Sequence, residues 1–160
     1  MEFDNYFKLE FEAKNINESF ARGVVALFCM ELKPTMSEVN EIKTAVSEAV
    51  TNSIVHGYEN RGGTVLLEAG IRKNVLDIKV TDFGVGIKDI DMALQPFFTT
   101  KSDEEHSGMG FTLMDSFMSS LEVKANKPSG LVVHMQKVIR DNGRVQTNWY
   151  INDKWISLQG

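Results

Sequence analysis

The segment Glu48-Ala-Val-Thr-Asn52-Ser-Ile-Val-His56-Gly-Tyr decides how this sequence is interpreted, because it carries two patterns on one predicted helix. Apolar residues recur three and four positions apart over residues 37–55, and this spacing predicts a helix with one buried face. Glu48, Asn52 and His56 recur every four residues, so they form a polar stripe on another face. We expect this helix to pack on a sheet while it presents a carboxylate, an amide and an imidazole. Its apolar positions are Val39, Ile42, Val46, Ala49, Val50 and Ile54.

The composition places the chain among ordinary globular proteins. Its 160 residues carry a formal charge of −5, with 42% hydrophobic and 24% charged residues, which predicts one compact domain. The acidic balance argues against a nucleic-acid binder, which needs a basic face. The apolar runs are too short for a signal peptide or a membrane span, so we expect a cytoplasmic protein that contacts no membrane. The single cysteine, Cys29, is expected to be a buried thiol.

The order of predicted elements is β-α-α-β-β-loop-α-β-β, which favours an α+β fold with helices on one face of a mixed, mostly antiparallel sheet. An alternating strand is predicted near residues 6–13, and a hairpin is predicted over 64–72 and 75–81. The first helix is expected to begin at a cap by Asn15 or Asn17 and to end near Leu32. A third helix is predicted over 111–121, and strands over 122–125 and 131–138. The apolar side of the first helix is predicted as Phe20, Val24, Leu27, Phe28 and Leu32.

The segment Asp82-Phe-Gly84-Val-Gly86 follows the second strand of the predicted hairpin. It is not a dinucleotide-binding fingerprint, since the third glycine is missing at Asp89 and the element order is not βαβ. The sequence also lacks the Gly-x-x-x-x-Gly-Lys-Ser/Thr pattern of a P-loop. By itself, the segment predicts only a glycine turn after a strand.

The segment Ser107-Gly108-Met109-Gly110-Phe111-Thr112 opens the third predicted helix. Glycines at a helix start allow backbone N–H groups to face an anion, and the helix dipole adds to the attraction. The segment therefore predicts a phosphate site. The apolar side chains that follow, Phe111 among them, are typical of a core.

The order of these motifs, with Pro96-Phe-Phe-Thr-Thr100-Lys101 before the last one, resembles the ATPase and kinase superfamily of gyrase, Hsp90, histidine kinases and MutL. Within it, the chain is similar to the anti-sigma factors of sporulating bacteria that are also serine kinases. The likeness covers about residues 6–138 and includes Asn17-Glu-Ser-Phe-Ala-Arg22. It implies an α/β sandwich of the Bergerat, or histidine-kinase-like ATPase, type.

The resemblance implies ATP and Mg²⁺ as cofactors. Asn52 would bind Mg²⁺ through its side-chain oxygen, and Glu48 would be the general base that deprotonates a serine hydroxyl of a protein substrate. Asp82 would accept a hydrogen bond from the adenine amino group, and Gly84 and Gly86 would let the backbone approach the base. The remaining nucleotide contacts would come from a lid over residues 96–110 and the helix start: Thr100, Lys101, Ser107, Gly108, Met109, Gly110, Phe111 and Thr112.

The resemblance also implies protein partners: a sigma factor of the sigma-F type, an anti-anti-sigma factor as kinase substrate, and a second copy of the chain. Arg22 would lie on a surface that the first two partners share. Three other interpretations stay open: an ATP-binding anti-sigma module, of a stress-response type or with little kinase activity; the catalytic fragment of a histidine kinase; and a structural protein with a glycine-rich loop. The presence of Glu48 favours a kinase over a binding module, the segment from Glu48 to Asn60 matches a histidine kinase poorly, and four motifs in this order argue against a structural protein.

Two features depart from the family pattern. His106 stands where relatives often carry a basic residue before Ser-Gly, and a neutral imidazole would contact a γ-phosphate less well. Residues 141–160 extend past the domain predicted over 1–140, and their pattern allows a hairpin about Asn152-Asp153. No function is assigned to this extension.

Overall fold

The computed structural model describes residues 2–95, 109–140, 149–151 and 154–156 of the chain. A 3₁₀ turn at Cys29–Leu32 and a π-helical turn at Ser53–Gly57 follow the first two helices. The other elements in chain order are β1 (Asn5–Glu12), α1 (Asn15–Phe28), α2 (Met36–Asn52), β2 (Thr64–Arg72), β3 (Val75–Asp82), α3 (Ile90–Ala93), α4 (Gly110–Phe117), β4 (Ser120–Ala125), β5 (Leu131–Val138), β6 (Trp149–Ile151) and β7 (Lys154–Ile156).

The main sheet has the strand order β1-β2-β3-β5-β4, and in the described ranges every pairing is antiparallel. The prediction of a mixed sheet was therefore wrong in this detail, while the α+β class is confirmed. The register places Leu67 opposite Val80 and Val80 opposite Val133. Because side chains alternate along a strand, this register gathers the buried apolar residues on one face.

In the part of the chain that the structure describes, the helices pack on that apolar face. Residues of α1, α2 and α4 form one buried cluster with Leu67, Ile78, Val80 and Met135 of the sheet. The opposite face is polar, and charged side chains pair across its strands: Lys79 contacts Glu68 at 2.6 Å, and His134 contacts Asp77 at 2.9 Å. The predicted single helical layer is thus confirmed.

The prediction of which α1 residues face the core was wrong in part. Phe20 and Leu27 are 52% and 76% exposed, and the residues that α1 buries are Ala21, Val25 and Ala26. Small side chains allow α1 to approach α2 closely, so packing selects them over the larger residues on the neighbouring stripe. The predicted asparagine cap is also absent: Lys14 occupies the cap position without a side-chain hydrogen bond, and Asn17 donates to the carbonyl of Glu12 instead.

The start of α2 is defined by a capping box. The Thr35 hydroxyl accepts from the Glu38 N–H at 3.2 Å, and the Glu38 carboxylate accepts from the Thr35 N–H at 2.7 Å. These bonds satisfy donors that a helix start leaves open. The predicted apolar positions of α2, and Ile54 beyond it, are all buried, as expected.

The third predicted helix was too long. Helix α4 ends at Phe117, and Met118 is extended, with the Ser119 N–H donating to the Gln136 carbonyl of β5. Residues 119–121 therefore leave the helix for the sheet, where β4 begins at Ser120. In the extension, β6 and β7 pair antiparallel, while Asn152 and Asp153, where the hairpin turn is predicted, lie outside the described residues.

The sequence also led to expectations about Cys29 and about membrane-spanning helices. Cys29 is fully buried, and burial raises the pKa of its thiol to about 11, so it is the inert core cysteine that the sequence predicts. None of the helices in the described ranges is long and apolar enough to cross a membrane.

Candidate functional site

The predicted polar stripe lies where α2 changes its helical geometry. Glu48 and Asn52 occupy the last two turns of α2, whereas His56 belongs to the π-helical turn that follows. A π-helical turn holds more residues than an α-helical one, so the three side chains do not continue a single regular stripe. Ser53 is buried in the same turn and points toward β3 instead of solvent.

Helix α4 brings its first residue against Glu48 and Asn52. A Cβ atom built on Gly110 would lie 3.0 Å from Oε2 of Glu48. It would lie 3.4 Å and 3.5 Å from Nδ2 and Oδ1 of Asn52. The carboxylate, the amide and the start of α4 therefore meet at one place. The structure brings together three residues that the sequence assigns to two separate motifs.

The start of α4 presents backbone donors at this place. The Leu113 N–H donates to the Met109 carbonyl, so the N–H groups of Gly110, Phe111 and Thr112 precede the intrahelical ladder. Donors of this kind, with the helix dipole, favour an anion. The other residues assigned to the lid, Thr100, Lys101, Ser107 and Gly108, lie outside the described residues, as does His106.

Asp82 ends β3 in a buried position and is only 2% exposed. Its Oδ1 accepts from the Gly84 N–H at 3.0 Å, and its carboxyl group also bonds the Ser53 hydroxyl. Burial raises the pKa of Asp82, against the opposing effect of these hydrogen bonds and one from the Leu131 N–H. The site thus contains a carboxyl group that is largely removed from water and held in a fixed direction.

Glycines let the backbone close around Asp82. A Cβ on Gly57 would lie 3.0 Å from the Asp82 carboxyl group, and one on Gly84 would overlap the Gly57 carbonyl. Gly86 has a φ of +71°, in the left-handed region that favours glycine. A Cβ on Gly130 would overlap the Asp82 carbonyl. Each of these glycines is therefore required by close approach or by backbone conformation.

Three of these residues are absent from the site that the sequence predicts: Ser53, Gly57 and Gly130. Gly57 stands next to the polar stripe, so its position could have indicated a close contact. The sequence before Gly130 predicts only a turn. Nothing in the sequence relates Gly130 to Asp82, which lies 48 positions earlier.

Arg22 lies on α1, apart from these groups. Its side chain is 42% exposed, and its Nε lies 3.4 Å from Oε1 of Glu18 on the same helix. Both α1 and α4 pack on α2. Arg22 is therefore available at the surface of the helix that packs on the element carrying Glu48 and Asn52.

The fold and the site define a class of protein. The family model described as histidine kinase-like ATPase domain matches residues 11–137. The catalytic domain of histidine kinase ThkA aligns with a TM-score of 0.52 over 87% of this chain and 97% of its own, at 21% identity. The RsbU and RsbW domains of Rv1364c from Mycobacterium tuberculosis align with a TM-score of 0.60 over 84% of this chain and 32% of theirs, at 14% identity. Both structures show the same fold.

A curated relative makes the assignment more specific. The anti-sigma F factor of Clostridium kluyveri is 54% identical over 136 residues, which cover 85% of this chain and 96% of the relative. The chain belongs to the histidine kinase-like ATPase family and, within it, to the anti-sigma F factors. Residues 138–160 lie outside the family model.

Proposed function

We propose that the protein is an ATP-dependent serine kinase that phosphorylates an anti-anti-sigma factor and also binds and inhibits a sporulation sigma factor of the sigma-F type. The observation that carries the kinase proposal is the meeting of Glu48, Asn52 and Gly110. A general base, an oxygen ligand and a set of backbone N–H donors face one space there. Phosphoryl transfer needs positioned groups of these kinds.

The residues at this place fit a nucleotide with Mg²⁺. An Asn side-chain oxygen is a suitable ligand for a hard cation that takes most of its other ligands from phosphates and water. No cluster of three or more histidine, cysteine, aspartate or glutamate side chains that could hold a metal occurs in the described ranges. Bound Mg²⁺ would neutralise charge that develops on the phosphates. The absence of a Cβ at Gly110 leaves room for them beside Asn52.

Glu48 is proposed as the general base. Its Oε2 would accept the proton of the attacking serine hydroxyl, while the N–H groups of Gly110, Phe111 and Thr112 would bind phosphate oxygens. Asn52, one turn further along α2, would orient the phosphates relative to Glu48. The two side chains project from one rigid helix, so their separation is set before substrate binds.

Asp82 is proposed to recognise adenine. An ionised carboxylate accepts hydrogen bonds and donates none, and the adenine amino group is a donor. Gly84 and Gly86 would let the base approach the backbone after β3. Since burial removes competing water from Asp82, the match between carboxylate and amino group contributes to selectivity for adenine.

The sigma-factor part of the proposal is supported by the relatives, which are anti-sigma F factors by name. The exposed Arg22 of α1 is the proposed contact for both the sigma factor and the anti-anti-sigma factor. A shared surface would make the partners compete, and nucleotide would influence the outcome only if it binds the competing states differently. A dimer of the chain and a cytoplasmic location belong to the same proposal. So does the division into a domain of residues 1–140 and a C-terminal extension.

The direct test is phosphoryl transfer from Mg-ATP to a serine of the anti-anti-sigma factor, read by mass spectrometry. We expect Glu48→Gln to reduce the rate by roughly 10²- to 10⁴-fold and to leave ATP affinity nearly unchanged, because glutamine keeps the shape of the side chain. Glu122→Gln is the control, since Glu122 pairs with Lys124 on the polar face of the sheet. Equal loss of transfer and ATP binding in Glu48→Gln would refute the role of Glu48 as base. Tight ATP binding by the parent protein with no transfer would favour an ATP-binding anti-sigma module instead, with His106 as the first residue to replace.

A further inference from the structure

The peptide group that joins Asp82 to Phe83 is held at both of its polar atoms by side chains. Its N–H donates to the hydroxyl of Tyr58 at 2.9 Å. Its carbonyl oxygen accepts from Nδ2 of Asn126, also at 2.9 Å. The two side chains come from opposite directions along the sequence, one after α2 and one after β4. One peptide plane is therefore fixed from two sides.

Tyr58 is itself anchored. Its hydroxyl donates to the carbonyl of Thr64 at the start of β2, so the same oxygen accepts from Phe83 and donates to Thr64. Its ring packs on Gly63, where a Cβ would overlap the ring. Its N–H donates to the Ser53 carbonyl of the π-helical turn. The hydroxyl therefore has a fixed position relative to β2 and to the turn that borders Asp82.

Asn126 is anchored as well, at the start of the β4–β5 connection. Its N–H donates to the Gly130 carbonyl at 3.0 Å. In the same connection the Ser129 hydroxyl donates to the Gly84 carbonyl. The connection therefore contacts the Asp82–Gly84 segment at two carbonyl groups. Neither contact involves the atoms of Asp82 that would meet a ligand.

A peptide group is rigid and planar, so fixing its N–H and its carbonyl fixes the direction from which the Asp82 side chain leaves the backbone. We propose that Tyr58 and Asn126 are positioning residues that orient the Asp82 carboxylate for the adenine amino group. This inference rests on the proposed function, in which Asp82 recognises adenine. The two residues are expected to act on base recognition and not on the phosphates, which belong to the other end of the site.

The test compares ATP with inosine triphosphate, which carries a carbonyl oxygen in place of the amino group that Asp82 would bind. Affinities are measured by titration calorimetry for the full chain, for Tyr58→Phe and for Asn126→Ala. Each variant removes one of the two hydrogen bonds that hold the Asp82–Phe83 peptide group, and Tyr58→Phe also removes the bond to the Thr64 carbonyl. We expect ATP affinity to fall roughly three- to tenfold. Affinity for inosine triphosphate should stay within about twofold, because its base has no amino donor for the carboxylate to lose. A fall in the ratio of ATP affinity to inosine triphosphate affinity is thus the result that a positioning role predicts.

Tyr6→Phe is the matched control. The Tyr6 hydroxyl donates to Glu68 at 2.6 Å on the polar face of the sheet, so its loss removes a hydroxyl of the same kind elsewhere. The control should keep the ATP to inosine triphosphate ratio of the parent protein. Thermal unfolding of each variant shows whether it is folded at the temperature of the titration.

Failure of the positioning role and failure of the adenine assignment give different results. Equal losses for both nucleotides in Tyr58→Phe and Asn126→Ala, or no loss for either, would overturn the positioning role while Asp82→Asn still lowers the ratio. A parent protein that binds both nucleotides equally, with Asp82→Asn changing neither affinity, would overturn the adenine assignment itself. Selective loss of ATP binding in both positioning variants supports the inference.

Discussion

Replacing Gly110 by alanine tests the geometry of the site most directly, because it should raise stability and lower activity together. The new Cβ would lie 3.0 Å from Oε2 of Glu48, so the carboxylate must retreat by a few tenths of an ångström. That oxygen ends a flexible side chain and can move. The contacts at 3.4 Å and 3.5 Å to Asn52 are ordinary. Little of the fold resists the change, and alanine at a helical position is favoured over glycine by up to about 1 kcal/mol.

The same displacement falls on the reacting groups. A shift of about 1 Å in a catalytic group can cost roughly 10²-fold in rate, so we expect at least a tenfold loss of phosphoryl transfer from a smaller shift. Phosphate binding should also weaken, since the methyl group occupies the space next to Asn52. Stability is measured by urea unfolding and activity by transfer from Mg-ATP to the anti-anti-sigma factor.

Gly23→Ala provides the matched control for stability and nucleotide binding. Gly23 lies within α1, and a Cβ there would meet nothing within 4 Å. This variant should therefore gain about 0.5–1 kcal/mol and retain its affinity for ATP. Parental transfer rates in Gly110→Ala would refute the argument that Gly110 leaves room for phosphates beside Glu48.

Three further changes separate recognition, partner binding and packing. Burial raises the pKa of Asp82, so its contribution to stability is present below the unfolded pKa and is lost as the pH rises through the folded one. Asp82→Asn should then be at least as stable as the parent at pH 8 while it loses ATP affinity about tenfold or more; urea unfolding at pH 5 and 8 with ATP titration checks both. Arg22→Glu should reduce binding of the sigma factor and the anti-anti-sigma factor by tenfold or more at unchanged ATP affinity, measured by calorimetry, because among the described residues its charge pairs with Glu18 on its own helix and is otherwise available to a partner. Lys137→Met should cost about 1–3 kcal/mol in urea unfolding, because the partly buried ammonium donates to Glu41 and to the Phe117 carbonyl, whereas Lys124→Met, at an exposed position, should cost less than about 0.5 kcal/mol.

The parts of the fold that follow a simple period could be predicted from the sequence. The apolar positions of α2 are buried as the spacing indicates, and the hairpin of β2 and β3 turns at Lys73-Asn74. The alternation of apolar and polar residues in β1 also predicted correctly which of its side chains face the core. In each case the burial of a residue depends mainly on neighbours close in sequence, which periodicity reports.

Secondary structure and burial were predicted wrongly where the local sequence allowed two arrangements and tertiary packing determined which one forms. On α1, the larger residues Phe20 and Leu27 suggested one buried face, but close packing against α2 selects Ala21 and Val25. At the end of α4, the pattern allowed helix up to Leu121, but β4 begins at Ser120 because residues 119–121 pair with β5. Neither contact can be seen from the sequence near these positions.

The candidate site shows the same division. Glu48, Asn52, Asp82 and Gly110 were assigned through a family resemblance, whereas the surroundings of Asp82 depend on a π-helical turn that no periodicity predicts. This turn interrupts the helix directly after Asn52. It buries Ser53 against the Asp82 carboxyl group and places Gly57 where only a hydrogen can face that group.

The π-helical turn ends at Gly57, whose carbonyl lies outside the helical ladder and accepts from the Val85 N–H beyond Asp82. That bond joins the helix carrying Glu48 and Asn52 to the segment carrying Asp82. The two ends of the site are therefore connected through main-chain atoms, and side-chain substitutions at Glu48 or Asp82 should leave this connection intact. Under the proposed function, we therefore expect changes in these two residues to separate catalysis from nucleotide binding, and changes in the glycines that permit the connection to affect both.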